Sequence, residues 1–325
     1  MKTKLHNNQL YIILVVVWVM FFTVSVPQAF AYRMENLTVE ARNDFVLEPG
    51  KVELFLAPGE TVTRSVSITN RVPRKVKFKI ETEDFVGSHD TQNPILLLGD
   101  KRSPYSFKDS LISEVREFTL DFGQRITIPV KVQIPQDAQP GGFYSSVIIS
   151  NQPDRSAGVE ASGPRVISRL GALFFIRVKG DVKEAGQLED VRIAGPNKLL
   201  YQKGPFTFQI LFNNSGTVHL VPYGKINITN FAGSLLATLP VDGYFALPDS
   251  LRYREVSWYP DFLFGRYKAT VELNRGYKNS TDVVDVQSTA FWVLPWKFIL
   301  ATFGIIFALV AVFFYIRKNF EFKRK

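Results

Sequence analysis

Val76-Lys77-Phe78-Lys79-Ile80 alternates apolar and cationic side chains one by one. A period of two turns one face of a strand to a core and the other to water. The same reading applies to Val52-Glu53-Leu54-Phe55-Leu56, to Ile126–Val132 and to Phe206–Phe212. From Leu37 to Phe291 almost no stretch has helical periodicity, and Gly or Pro interrupts the apolar runs at roughly ten-residue intervals, the pattern of an all-β sandwich. Two turns show the mechanism. Pro58-Gly59-Glu60 reverses the chain because Pro fixes φ and Gly supplies positive φ, and Pro135 to Gly142 forms a turn-rich corner. Pro129, lacking an amide donor, is expected at an edge or a bulge.

Outward from that strand the pattern repeats. Val66 to Asn70, a turn and then Val76 to Ile80 has the same shape as Ile210 to Asn214, a turn and then Lys225 to Ile228. This predicts two tandem immunoglobulin-like β-sandwich domains, over 32–180 and 181–293. Residues 81–109 make a long polar excursion in the first, and 151–164 a loop expected to be mobile.

Beyond the sandwiches, Phe298 to Ile316 carries no charge. At ~1.5 Å per residue it covers most of a ~30 Å hydrocarbon core. Trp292 and Trp296 stand at one end, and Arg317, Lys318, Lys323, Arg324 and Lys325 follow the other. Aromatic belts and the positive-inside rule make 294–316 a transmembrane helix and 317–325 a cytoplasmic tail. A buried core helix is the competing reading. At the other terminus, Lys2 and Lys4, the apolar run Leu10 to Val26 and Ala29-Phe30-Ala31 read as a signal peptide over 1–31, with an uncleaved signal anchor as the competitor. The expectation is a single-pass type I protein of the cell membrane, its ectodomain extracytoplasmic.

The formal charge of +9 suggests a polyanion partner until the charges are placed. Setting aside Lys2, Lys4, Lys297 and the five tail cations leaves 31 Lys and Arg against 29 acids, Glu321 being in the tail. The ectodomain is near neutral, which argues against a nucleic-acid binder. There is no cysteine. An exported chain of this size without disulfides points to a bacterial envelope.

Pro58-Gly59, the strand ending at Asn70, and Pro135 with Ala138-Gln139-Pro140-Gly141-Gly142-Phe143-Tyr144 resemble the first Ig-like domain of bacterial WxL-interacting surface proteins. The resemblance implies a signal peptide, two sandwiches, one C-terminal helix and a basic tail. It also implies a first domain that contacts peptidoglycan and a second that contacts a protein. Glu83-Asp84-Phe85 and the loop from Pro94 to Tyr105 depart from the family pattern, so no binding residue is carried over from it.

Catalytic chemistry finds little support. His89 and His219 are the only histidines beyond the signal, and no Gly-x-Ser-x-Gly, His-Glu-x-x-His or Walker pattern occurs. No enzyme activity, cofactor or metal is expected. Glu81, Glu83, Asp84 and Asp90 read as a Ca²⁺ cluster or, more simply, a solvated loop. Binding is expected through aromatics taken to be exposed: Phe85, Tyr105 and Phe107 on the excursion, and Tyr244 with Phe245 in the second domain. The competing reading has these rings capping the sandwiches. The expected partner is a cell-wall glycan or an envelope protein. The alternative is a chaperone-like accessory factor in surface-appendage assembly, with Arg64, Arg71, Arg74 and Lys75 as candidate grips at an inter-domain cleft.

Overall fold

The computed structural model describes residues 32–88, 90, 93–152, 167–195, 200–278 and 281–319. The signal peptide, most of the basic tail and most of the 151–164 loop lie outside them.

The first sandwich contains β1 (Arg33–Asn36), β2 (Phe45–Glu48), β3 (Lys51–Leu56), β4 (Thr61–Asn70), β5 (Val76–Gly87), β6 (Ile95–Leu97), β7 (Leu111–Ser113), β8 (Glu117–Leu120), β9 (Gln124–Gln133), β10 (Gly141–Gln152) and β11 (Arg169–Val178). One sheet runs β1-β9-β4-β2 with β7 also on β9, and the other runs β3-β11-β10-β5-β6 with β8 also on β5. Between β2 and β3 the chain changes sheets: β2 pairs antiparallel with β4, and β3 pairs parallel with β11. Alternation dictates which side chains meet between the sheets. Val52, Leu54 and Leu56 of β3 face inward, as do Ile126, Ile128, Val130 and Val132 of β9. Pro129 sits in a central strand, not at an edge. On one side of β9 the partner β1 reaches only Thr127 and β7 covers Val130 to Val132, so Pro129 falls in the gap between them.

The second sandwich contains β12 (Gly186–Ile193), β13 (Leu200–Tyr201), β14 (Phe206–Asn214), β15 (Tyr223–Asn230), β16 (Leu235–Val241), β17 (Ser250–Trp258), β18 (Gly265–Asn274) and β19 (Val284–Val293). Its sheets run β12-β14-β17 and β13-β19-β18-β15-β16. Phe206, Phe208, Ile210 and Phe212 alternate into its core against Ile226, Val271 and Phe291. The chain is thus all-β, two immunoglobulin-like sandwiches, followed by one helix, α1 (Trp296–Asn319). Its stretch Trp296–Lys318 is long and apolar enough to cross a membrane, and none of its most apolar window is buried.

The shared turn has one physical basis in both sandwiches. Asn70 closes β4 with its amide on the carbonyls of Arg74 (2.9 Å) and Leu120 (3.1 Å), while its Oδ1 accepts from Val72 N–H (3.0 Å). Asn214 closes β14 the same way, donating to Val218 (2.9 Å) and Ala246 (2.8 Å) and accepting from Gly216 N–H (3.0 Å). Both side chains are fully buried. Each satisfies backbone groups that a turn inside the fold would otherwise strand without water.

The polar excursion of the first sandwich is folded back upon it. β5 continues to Gly87 and pairs with β6, and the buried Asp84 gathers the loop. Its carboxylate accepts from Ser145 Oγ (2.6 Å) and from the amides of Phe107 and Lys108 (3.1 Å each). Burial raises its pKa, but hydrogen bonds from Ser106, Ser145, Phe107 and Ser103 prevail and hold it below its usual value.

Candidate functional site

The two sandwiches meet over a third apolar cluster. Phe85, Tyr144 and Phe175 of the first pack with Leu247 of the second, and Phe245 lies edge-on to Phe175 at 5.1 Å between centroids. The approach is close enough that a Cβ on Gly87 would lie 2.3 Å from Cβ of Ser250. One on Gly142 would lie 2.0 Å from the Tyr144 hydroxyl, so glycine is the residue that leaves room for that ring.

Around these rings is a polar network. The His219 backbone N–H donates to Tyr144 Oη at 2.6 Å, and the hydroxyl lies 3.3 Å from His219 Nδ1. His219 Nε2 is 3.1 Å from Glu53 Oε1, which also receives Lys278 Nζ at 2.9 Å, while Lys51 Nζ reaches Oε2 at 3.1 Å. With Tyr144 O–H donating to Nδ1 and Nε2–H donating to Glu53, the neutral imidazole is fully satisfied. Burial pushes the His219 pKa down against the pull of Glu53. The Glu53 carboxyl is held far below the ordinary range by the His219 hydrogen bond, opposed by burial and reinforced by Lys278 and Lys51. Where the chain passes between sandwiches, Arg177 and Glu184 form an almost wholly buried ion pair of 2.6 Å, and Gly142 N–H donates to Thr217 C=O at 3.0 Å. The joint is therefore packed and bonded, with a pocket of about 500 Å³ beside it lined by Glu53, Phe55, Arg177 and Lys278.

The three aromatics expected to bind are distributed differently. Phe85 is fully buried in the junction cluster and Phe107 nearly so in the first core, which corrects the expectation that they stand exposed. Tyr105 is half-buried. Its hydroxyl donates to Asp249 of the second sandwich at 2.7 Å, and burial followed by that carboxylate pushes its pKa up to about 12. Tyr105 and Phe107 line a pocket of about 450 Å³ with Pro140, Gly142 and Thr217. The suspected acidic cluster does not converge: Glu81 pairs with Lys79, Glu83 with Arg169, Asp84 with the loop amides and Asp90 with Asn93. Among the described residues no group of three or more His, Cys, Asp or Glu is placed to hold a metal ion.

Three of the four candidate grips, Arg71, Arg74 and Lys75, are also elsewhere, while Arg64, in the first half of β4, donates to Thr63 C=O at 3.0 Å. Arg71 forks onto Asp44 (2.7 and 2.6 Å) and Lys75 lies 3.8 Å from Asp121. These, with Arg74, follow the end of β4 remote from the second sandwich, since β4 starts near Leu56, where β3 approaches the joint. Besides Lys278 and Arg177, cations beside the junction include Lys51 and Arg252. Lys51 Nζ stands 4.8 Å over the Phe175 ring, and the Arg252 guanidinium 5.6 Å over Phe245. Arg252 and Arg254 share the face of β17 that carries Val256 and Trp258 into the core, while Tyr253, Glu255 and Ser257 take partners on the outer face. Nε of each arginine and the hydroxyl of Tyr244 are buried without a hydrogen-bond partner among the described residues. Burial raises the Tyr244 pKa, and the charges of Arg252 and Arg254 oppose it, which places all three within electrostatic reach. Arg254 also lies 3.6 Å from Asp242, an exposed pair. β17 is the end strand of its sheet, bonded to β14 alone. Tyr244, expected to stand exposed, is instead buried in the second core. The arginines were hidden because Leu251-Arg252-Tyr253-Arg254 puts its apolar residues on the outward parity.

No known family's sequence model matches this chain, and neither does any curated protein. Among solved structures it is similar to the class 5 fimbriae chaperone CfaA (13% identity, 75% of this chain and 99% of that one, TM-score 0.38). It is also similar to a chain of the CsuC–CsuE chaperone-tip adhesion subunit complex from Acinetobacter baumannii (10%, 75% and 97%, 0.36) and to the E. coli chaperone DraB (13%, 77% and 98%, 0.32).

Proposed function

We propose that this chain is a membrane-anchored extracytoplasmic protein that works by contact, gripping a carboxylate-bearing extended segment of an envelope protein beside the joint of its two sandwiches. On this reading it is an accessory factor in assembling surface structures. The observation that carries it is the trio Tyr244, Arg252 and Arg254: among the described residues the Tyr244 hydroxyl and the Nε of each arginine are buried without a hydrogen-bond partner, and both arginines stand on an end strand. A carboxylate accepts from guanidinium N–H and tyrosine O–H together, and charge-assisted bonds of this kind are the strong ones. An extended segment laid along β17 would gain main-chain hydrogen bonds from the open edge, with its carboxylate setting the register. The joint network supports the same role, because a packed joint holds the cleft in one geometry before the partner arrives.

The test uses full-length protein in nanodiscs and a fluorescent peptide of about ten alternating Val and Thr residues. The peptide is made with a free or an amidated C-terminus, and anisotropy reports binding. Binding of the free acid, weakened about tenfold or more by amidation or by Arg252→Ala with Arg254→Ala, supports the reading. Equal binding of acid and amide overturns it. Retention on purified peptidoglycan, undiminished in the double variant, would instead favour the wall glycan. Inward charge on an edge strand also blocks unwanted pairing. If the double variant self-associates without losing peptide affinity, edge protection is the arginines' only role.

A further inference from the structure

One end of the second sandwich gathers exposed apolar side chains. The β18–β19 register pairs Gly265 with Val293, β15 ends at Asn230 opposite Tyr267, β16 begins at Leu235, and β14 opens at Phe206 opposite Trp258. These strand ends and the loops between them lie together, at the end from which α1 departs. There Phe231 is 83% exposed, Tyr259 75%, Phe262 61% and Phe264 58%, with Leu235 and Trp292 also largely exposed. Large rings are rarely left in water as a contiguous group, and those on both faces of a sandwich end do not serve its core.

The helix limits what can cover this end. Only Leu294 and Pro295 separate β19 from α1. Leu294 N–H is bonded to Tyr201 C=O at 2.7 Å, and Trp296 N–H to Leu294 C=O at 2.8 Å, so the connection is tied to the sandwich. The Phe262 ring meets Phe298, the first residue of the uncharged run, at 5.7 Å. A loop of the sandwich thus touches the helix at the level where a bilayer would begin. Lys203, Arg266 and Lys297 are exposed around it and Asp261 lies within it, a mixed charged fringe suited to lipid headgroups.

We infer that this end of the second sandwich, through Phe231, Leu235, Tyr259, Phe262, Phe264 and Trp292, is seated in the interfacial layer of the bilayer that α1 spans. The inference rests on the reading of α1 as a membrane span. Aromatic rings belong at this depth, apolar in body and tolerant of a wet edge. Seating on both faces of the sandwich fixes its tilt and holds the junction cleft at a set height above the lipid.

The chain has no cysteine, so single cysteines can be labelled in the full-length protein. A polarity-sensitive dye is placed by Tyr259→Cys, Phe231→Cys, Leu309→Cys and Asp282→Cys in separate preparations. Each is reconstituted in nanodiscs with and without spin-labelled lipid. Leu309 lies inside α1, and Asp282 beside Asn274 at the opposite end of the sandwich. The expected result is quenching at 309, quenching with blue-shifted emission at both 231 and 259, and neither at 282. Quenching at 309 with water-like emission at either 231 or 259 overturns the seated end and leaves the anchor standing. Water-like emission at 309 overturns the anchor, and the inference with it.

Discussion

His219 in the second sandwich places Nε2 3.1 Å from Oε1 of Glu53 in the first, a contact 166 residues apart in sequence that joins the two domains through a buried neutral base and a carboxylate. Its protonation is linked to folding. A base whose folded pKa is depressed binds fewer protons than the unfolded chain, so stability rises with pH between the two values. For His219 that stability is present above the unfolded value of about 6.5 and is lost as pH falls below it. Glu53, also depressed, is a carboxylate whose contribution is present above 4.5 and is lost as pH falls further. The melting temperature of the full chain should therefore decline in two steps on acidification. His219→Gln should lower it at pH 7.5 and remove the upper step. A wild-type profile level from pH 7.5 to 5 would show that His219 is not held neutral.

Arg177 and Glu184 should behave as a buried pair. Arg177→Met leaves the buried Glu184 carboxylate without its counter-charge, though still accepting from Lys278 N–H at 2.9 Å, and should cost about 3–5 kcal/mol, measured by chemical denaturation. Adding Glu184→Leu should recover much of that, because no unpaired charge then remains. If the double variant is as unstable as the single, the loss comes from packing.

Asn70 and Asn214 give a matched comparison across the two sandwiches. Replacement of either by Ala strands two carbonyls and one amide and should cost about 3 kcal/mol. Hydrogen exchange should localise the effect, to Val72 and the Leu120 turn for Asn70→Ala, and to Gly216 through Ala246 for Asn214→Ala. A cost below about 0.5 kcal/mol in both, the range of ordinary surface substitutions, would mean that water replaces these side chains.

Tyr244 separates binding from stability. Its hydroxyl is buried without a hydrogen-bond partner among the described residues, so Tyr244→Phe should leave the melting temperature unchanged or raise stability by about 1 kcal/mol. If that hydroxyl awaits a carboxylate, the same variant should weaken binding of the free-acid peptide. A clear loss of stability would place a hidden partner on the hydroxyl and remove it from the site.

Alternation carried most of the fold. Val76–Ile80, Ile126–Val132 and Phe206–Phe212 were legible as strands because a period of two is a local property, and the repeated Asn turn was legible because the same local solution recurs. The site was much less so. Phe85 and Phe107 look like loop aromatics in sequence, yet Asp84 draws the excursion inward and closes them from water. Phe231, Tyr259, Phe262 and Phe264 do lie exposed, and nothing within a few residues of them distinguishes them from core rings.

By itself the sequence determined strand periodicity, the all-β class and an uncharged run long enough to span a bilayer, since each follows from neighbours along the chain. Tertiary structure decided which aromatics are buried, which carboxylates are already partnered, and that Arg252, Arg254 and Tyr244 come within electrostatic reach of one another. Such contacts arise between residues far apart in the chain: Glu53 with His219, Tyr105 with Asp249, Phe262 with Phe298. The pattern of a single strand cannot specify which distant strand will lie against it.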